Sequence, residues 1–209
     1  MRYILTALFL VWATISQAQG TIVLLVDTSS SMTTGQLDIQ FDSYAKALRE
    51  LPYLDNVNIE VVLFGDRPFL IASGNRFSAA TAFDNINRNS YSYRGSTCLT
   101  KALWFVEMML DKLPPPVVID ISGDGEANCH DVKELHPTLD RIASRGVRVN
   151  TLLVTNQAYN GILEDTSPVT EYQNMTRDGF MIHAKSYYDF ELAIFEKLTV
   201  EIAQLQIND

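Results

Sequence analysis

The chain is predicted to fold as an α/β domain, with helices on both faces of a doubly wound, mostly parallel sheet. Residues 22 to 26 are apolar without alternation, the pattern of a strand covered on both faces. A second apolar strand, Val117 to Ser122, leads into an acid as the first does. Segments of helical period separate the apolar runs, and strands alternating with helices imply βαβ units.

In chain order, a strand starts at about Thr21, and a helix follows over Gln36 to Leu51, with Leu37, Phe41, Ala45, Leu48 and Leu51 at helical spacing. Val57 to Phe64 reads as a strand and Phe69 to Ala72 as its partner. A shorter helix is expected over Phe77 to Asn87 and a longer one over Thr97 to Leu113, stopped by Pro114, Pro115 and Pro116, since proline cannot extend the ladder. Trp104 lies within that helix and reads as core. Strand Val117 to Ser122, helix Val132 to Arg145 closed by Gly146, and strand Val147 to Val154 continue the series. The segment from Gln157 to Asp178 carries no clear pattern. A short strand around Phe180 to His183 precedes a last helix with Phe190, Ile194, Leu198, Ile202 and Leu205 on one face.

Chemistry gathers where the strands end. Asp27-x-Ser29-x-Ser31 places an acid and two alternate hydroxyls in one turn after the first strand. Gly123-Asp124-Gly125 sets a second acid between glycines, and Arg94-Gly95-Ser96-Thr97 opens a helix with further oxygens. Each has a plain structural alternative: Asp27, a serine or Thr97 can cap a helix, and Asp124 can serve an Asp-Gly turn. Open α/β sheets bind ligands at the carboxyl ends of their strands. Oxygen donors of this kind suit Mg²⁺, with Mn²⁺ or Ca²⁺ also accommodated, and do not suit soft metals.

On these residues the chain resembles a von Willebrand factor A domain, whose metal-ion-dependent adhesion site is D-x-S-x-S, a later Thr, and an Asp after a core strand. Asp27, Ser29, Ser31, Thr97 and Asp124 match the five positions. The runs Val118 to Gly125 and Gly146 to Val154 resemble an exported bacterial branch without an assigned function. The resemblance implies that Ser29, Ser31 and in some members Thr97 ligate directly, and that Asp27 and Asp124 act directly or through water. It implies an adhesion or assembly module in which the metal meets an acidic residue of a partner protein, and no enzyme. Tyr91, Tyr93 and Arg94, beside the threonine loop, have the composition of a partner-binding hot spot, and packing over the sheet edge is the equal alternative.

The competing class is a metal-dependent hydrolase of phosphate esters. The haloacid dehalogenase type also begins on a strand-end aspartate but needs a second acid two residues later. Ser29 stands there instead, and its hydroxyl is a poor proton donor at neutral pH. No G-x-S-x-G, G-x-x-x-x-G-K-[ST] or H-E-x-x-H pattern is present.

Residues 1–18 read as a signal peptide: Arg2, an apolar core from Ile4 to Ala13, and the small-x-small site Ser16-Gln17-Ala18. The apolar run is too short for a good membrane span. Export to the periplasm or medium is therefore expected, with residues 19–209 as one domain. Removing 18 of 209 residues leaves 191, enough for a sizeable core. The formal charge of −9, or −10 once Arg2 is lost, argues against nucleic acid and anionic membrane as partners. Cys98 and Cys129 are even in number and sit just beyond candidate site residues, so a disulfide is expected. Two buried thiols, or zinc bound with His130, are the alternatives.

Overall fold

A computed structural model describes residues 20–87, 95–155 and 167–206. Six strands form one sheet in the order β3-β2-β1-β4-β5-β6. They are β1 (Thr21–Asp27), β2 (Asn58–Phe64), β3 (Pro68–Gly74), β4 (Val117–Gly123), β5 (Arg148–Val154) and β6 (Met181–Ala184). All neighbours are parallel except β3, which runs antiparallel to β2 at the edge. The helices are α1 (Thr34–Glu50), α2 (Arg76–Asn85), α3 (Leu99–Met109), α4 (Leu135–Ala143), α5 (Ser167–Met175) and α6 (Phe190–Gln206).

The unbroken apolar run of β1 is explained by two cores, one on each face of the sheet. Ile22, Leu24 and Val26 pack with Phe41, Tyr44, Leu48, Phe83 and Phe190 of α1, α2 and α6. Val23 and Leu25 point the other way, into Leu103, Val106, Leu139, Ile142 and Tyr172 of α3, α4 and α5. Each fully buried aliphatic side chain contributes about 1.5–3 kcal/mol, so a strand at the sheet centre gains from every position.

Local signals set the helix starts. Thr33 and Gln36 form a reciprocal capping box at α1, and Asn75 Oδ1 accepts from Phe77 N and Ser78 N at α2. Two expectations are corrected. The helix expected from Val132 begins only at Leu135, because Val132–Glu134 is a 3-10 turn in which Val132 N donates to Cys129 O and Glu134 N to Asp131 O. Trp104 is not core: it is 37% exposed, and its Nε1 donates to Thr138 Oγ1 at 3.0 Å, bridging α3 to α4. The inward face of α3 belongs instead to Leu99, Ala102, Leu103 and Val106. Helix α5 fills part of the segment that had no clear sequence pattern.

Candidate metal centre

The loops after β1, β2 and β4 leave the carboxyl edge of the sheet side by side, and the segment before α3 is laced onto them. Asp27 ends β1 with no solvent exposure; its Oδ1 accepts from Ser29 N at 2.7 Å, which folds the turn back. Gln40 of α1 holds the same strand end by donating from Nε2 to the Asp27 carbonyl at 2.9 Å. The hydroxyls of Ser29 and Ser31 lie 2.9 Å apart, and Ser31 Oγ donates to Asp124 Oδ1 at 2.7 Å. A chain of oxygens therefore runs from the first motif to the second. Asp27 Oδ2 is buried without a hydrogen-bond partner among the described residues.

The threonine segment is placed by backbone. Ser30 N donates to Gly95 O at 2.9 Å, Gly95 N donates to Ser30 Oγ at 3.1 Å, and Cys98 N donates to Gly65 O at 3.0 Å. Thr97 is 5% exposed; its N donates to Asn128 Oδ1 at 2.9 Å, and Asn128 N donates back to Thr97 O at 3.3 Å. Just beyond this pair, Cys98 and Cys129 are joined in a disulfide with Cα atoms 5.1 Å apart. Both sulfurs are thereby committed, which removes the zinc alternative built on Cys98, Cys129 and His130.

The capping alternatives do not hold. Thr33 caps α1, and the N-cap position of α3 is Cys98, which makes no side-chain cap, so neither Asp27 nor Thr97 serves that purpose. Asp124 sits in a turn as its sequence suggests, but its carboxylate is engaged by Ser31. Tyr91, Tyr93 and Arg94 lie outside the described residues.

Several residues of the centre were not legible in the sequence. Asp66, after β2, accepts from Ser96 N at 2.7 Å, and its carboxylate lies against Gly95, where a Cβ would meet it at 2.2 Å. Gly95 also sits at φ +117°, so glycine is required there twice over. At Gly123 a Cβ would fall 2.3 Å from Tyr172 Oη and 2.9 Å from Asp27 Oδ2, so only glycine lets that tyrosine hydroxyl approach the centre. Tyr187 brings a second buried hydroxyl, unpartnered among the described residues.

Electrostatics follow from burial. The Asp27 carboxyl is pushed up to about 7, first by loss of solvent and further by the Asp124 charge, against the opposing hydrogen bond from Ser29. Burial also raises Asp124. Tyr172 and Tyr187 are raised by burial and by both carboxylates, so their hydroxyls stay protonated and can donate. No group of three His, Cys, Asp or Glu side chains that could hold a metal occurs among the described residues. A centre here is built from two carboxylates completed by hydroxyls, a hard-oxygen set.

A family model described as "Protein of unknown function (DUF1194)" matches residues 72–206, more than half of the chain, and the chain belongs to that family. No curated protein sequence matches it. Among solved structures, it is similar to proximal thread matrix protein 1 of the mussel byssus over 90% of this chain and 48% of that one, with 15% identity and a TM-score of 0.67. This chain thus spans about half the length of the mussel protein. A structure of that protein with a zinc-occupied MIDAS motif matches over 90% of this chain and 46% of the other, with 18% identity and a TM-score of 0.63. The manganese-loaded TRAP protein of Plasmodium vivax matches over 85% and 72%, with 18% identity and a TM-score of 0.60. Likeness at such identities is likeness of fold, and the fold is that of the von Willebrand factor A domain.

Proposed function

We propose that this domain is a cation-dependent binding module. Asp27, Ser29, Ser31, Thr97 and Asp124 hold one divalent ion, Mg²⁺ by preference, and the ion meets an acidic residue of a partner protein. One observation carries this reading: two carboxylates, linked through two serine hydroxyls, stand at the sheet edge, and neither makes an ion pair among the described residues. Burying a carboxylate without a cation is costly, so the chain leaves a charge for a ligand to balance. The manganese and zinc in the structural neighbours support a divalent ion in general.

Hydroxyls bring no formal charge, so a bound dication remains electrophilic and offers a position to an incoming carboxylate. The protein's part is positional. Gln40 fixes the end of β1, Asp66 and Asn128 fix the threonine segment, and the disulfide ties that segment to the loop of Asp124. No bond is made or broken, and the module is not an enzyme. Export is part of the reading, on the strength of residues 1–18, and no helix among the described residues is long and apolar enough to cross a membrane.

Calorimetric titration with Mg²⁺ and Mn²⁺ tests it directly. Wild type is expected to bind one ion and Asp27→Ala none, with both proteins melting alike in chelator. A pull-down from the native envelope fraction should recover a partner with Mg²⁺ and lose it with chelator. Absence of cation binding at millimolar concentration, or turnover of a phosphate ester, would overturn the reading.

A further inference from the structure

Away from the sheet edge, a second group of ionisable side chains lies where no solvent reaches. Asp120 of β4, with Lys197 and Glu201 of α6, are all 0% exposed, on the sheet face covered by α1 and α6. Lys197 Nζ touches Asp120 Oδ1 and donates to Glu201 Oε1 at 3.0 Å. Asn150 of β5 donates from Nδ2 to the same Glu201 oxygen at 3.1 Å, and Tyr44 of α1 closes the pocket by donating to Ser122 Oγ at 3.0 Å. Lys197 and Tyr44 both lie against Asp120, though neither completes a hydrogen bond of regular geometry to it, and Glu201 Oε2 has no partner among the described residues.

As a plain ion pair this is a poor arrangement. Two carboxyl groups share one lysine, and desolvation of the buried charges offsets most of their attraction. As a reaction site it is complete: an amine in contact with a carboxyl group, a second carboxyl hydrogen-bonded to the amine, and no solvent exposure at any of the three. We propose that Lys197 and Asp120 condense into an intramolecular isopeptide bond that ties α6 covalently to β4, with Glu201 relaying the proton.

The atoms balance without a co-reactant. A proton first passes from the Lys197 ammonium to the Asp120 carboxylate that it touches, giving an amine and an acid that can condense. Nζ then attacks Cγ of Asp120, and the bond from Cγ to the hydroxyl oxygen breaks. Glu201, as the neutral acid, accepts the N–H proton on one carboxyl oxygen and gives its own proton to the departing hydroxyl, which leaves as water. The glutamic acid is regenerated. Burial and the neighbouring Asp120 push the Glu201 carboxyl up to about 8, so it carries the proton this relay needs at neutral pH. Burial also raises Asp120, against the pull of Lys197. Holding amine and acid in contact supplies an effective concentration of on the order of 10⁵ M or more, and a dry core withholds the water that hydrolysis would need.

A tryptic peptide map of the disulfide-reduced, alkylated wild type decides the matter. The expected product joins Leu113–Lys133 to Ser186–Asp209, lighter by one water than the two peptides together, with no cleavage after Lys197. Glu201→Gln keeps the shape of the side chain but cannot relay the proton, and should restore both cleavage after Lys197 and an unlinked Leu113–Lys133. An unlinked pair of peptides from folded wild type would mean an ion pair only and would overturn the proposal, whether or not the variant folds. A linked pair from Glu201→Gln would overturn the role given to Glu201.

Discussion

Asp120 and Asp124 belong to one strand and the turn that follows it, and they are treated in opposite ways. Asp120 lies inside the sheet face, where α6 supplies Lys197 against it. Asp124 lies at the sheet edge, where Ser31 supplies a hydroxyl and, among the described residues, no cation. The first group of acids is answered from within the chain; the second, Asp124 with Asp27, is left with its charge. On the proposed reading, the difference separates a carboxylate that secures the fold from one that meets a ligand.

The largest test of this contrast removes the internal partner. Lys197→Met leaves Asp120 and Glu201 buried without the nitrogen that answers them, as ammonium or as amide, and should cost about 3–5 kcal/mol, read as a lower urea midpoint. A stability loss under about 1 kcal/mol would place the core acids on the same footing as those at the edge.

The edge is held together by covalent and backbone ties, and these can be cut separately. Replacing Cys98 and Cys129 with alanine should cost about 2–4 kcal/mol for a bridge spanning 31 residues. It should also weaken Mn²⁺ binding, because the Thr97 and Asp124 loops lose their tether. Full cation affinity in that variant would show that the paired amides of Thr97 and Asn128 suffice. Gly123→Ala forces a methyl group against Tyr172 Oη and Asp27 Oδ2 and should cost about 1–3 kcal/mol, with a measurable drop in cation affinity in the same preparation.

The smallest stability effect is expected where the charge is unanswered. Asp27→Asn keeps the acceptor for Ser29 N while removing a buried charge, so in chelator the variant should melt at the wild-type temperature or higher, within about 1 kcal/mol. Its Mn²⁺ affinity should fall at least about tenfold, roughly 1.4 kcal/mol. The two substitutions therefore have different consequences in the two clusters, and equal destabilisation by Asp27→Asn and Lys197→Met would erase the distinction.

What the sequence determined by itself was everything written in periodicity and in local turn chemistry. The apolar run of β1, the helical spacing of α1 and α6, the proline stop after α3 and the Asp27-x-Ser29-x-Ser31 turn are short-range patterns, each imposed by neighbours within a few residues. From them the fold class was legible; the set Asp27, Ser29, Ser31, Thr97 and Asp124 came from its match to the von Willebrand factor A pattern, and a bridge between Cys98 and Cys129 was the expectation, with free thiols or a zinc site as alternatives. Only the tertiary structure decided which oxygens meet. That Ser31 reaches Asp124, that Asp66 and Asn128 clamp the threonine segment, and that Tyr172 passes over Gly123 all depend on loops from different strands arriving at one edge. The same holds for Lys197, which in sequence is one polar residue in an amphipathic helix. Its burial against Asp120 follows from how α6 is rotated on the sheet, and no periodicity within α6 encodes a carboxylate on a strand that ends long before the helix begins.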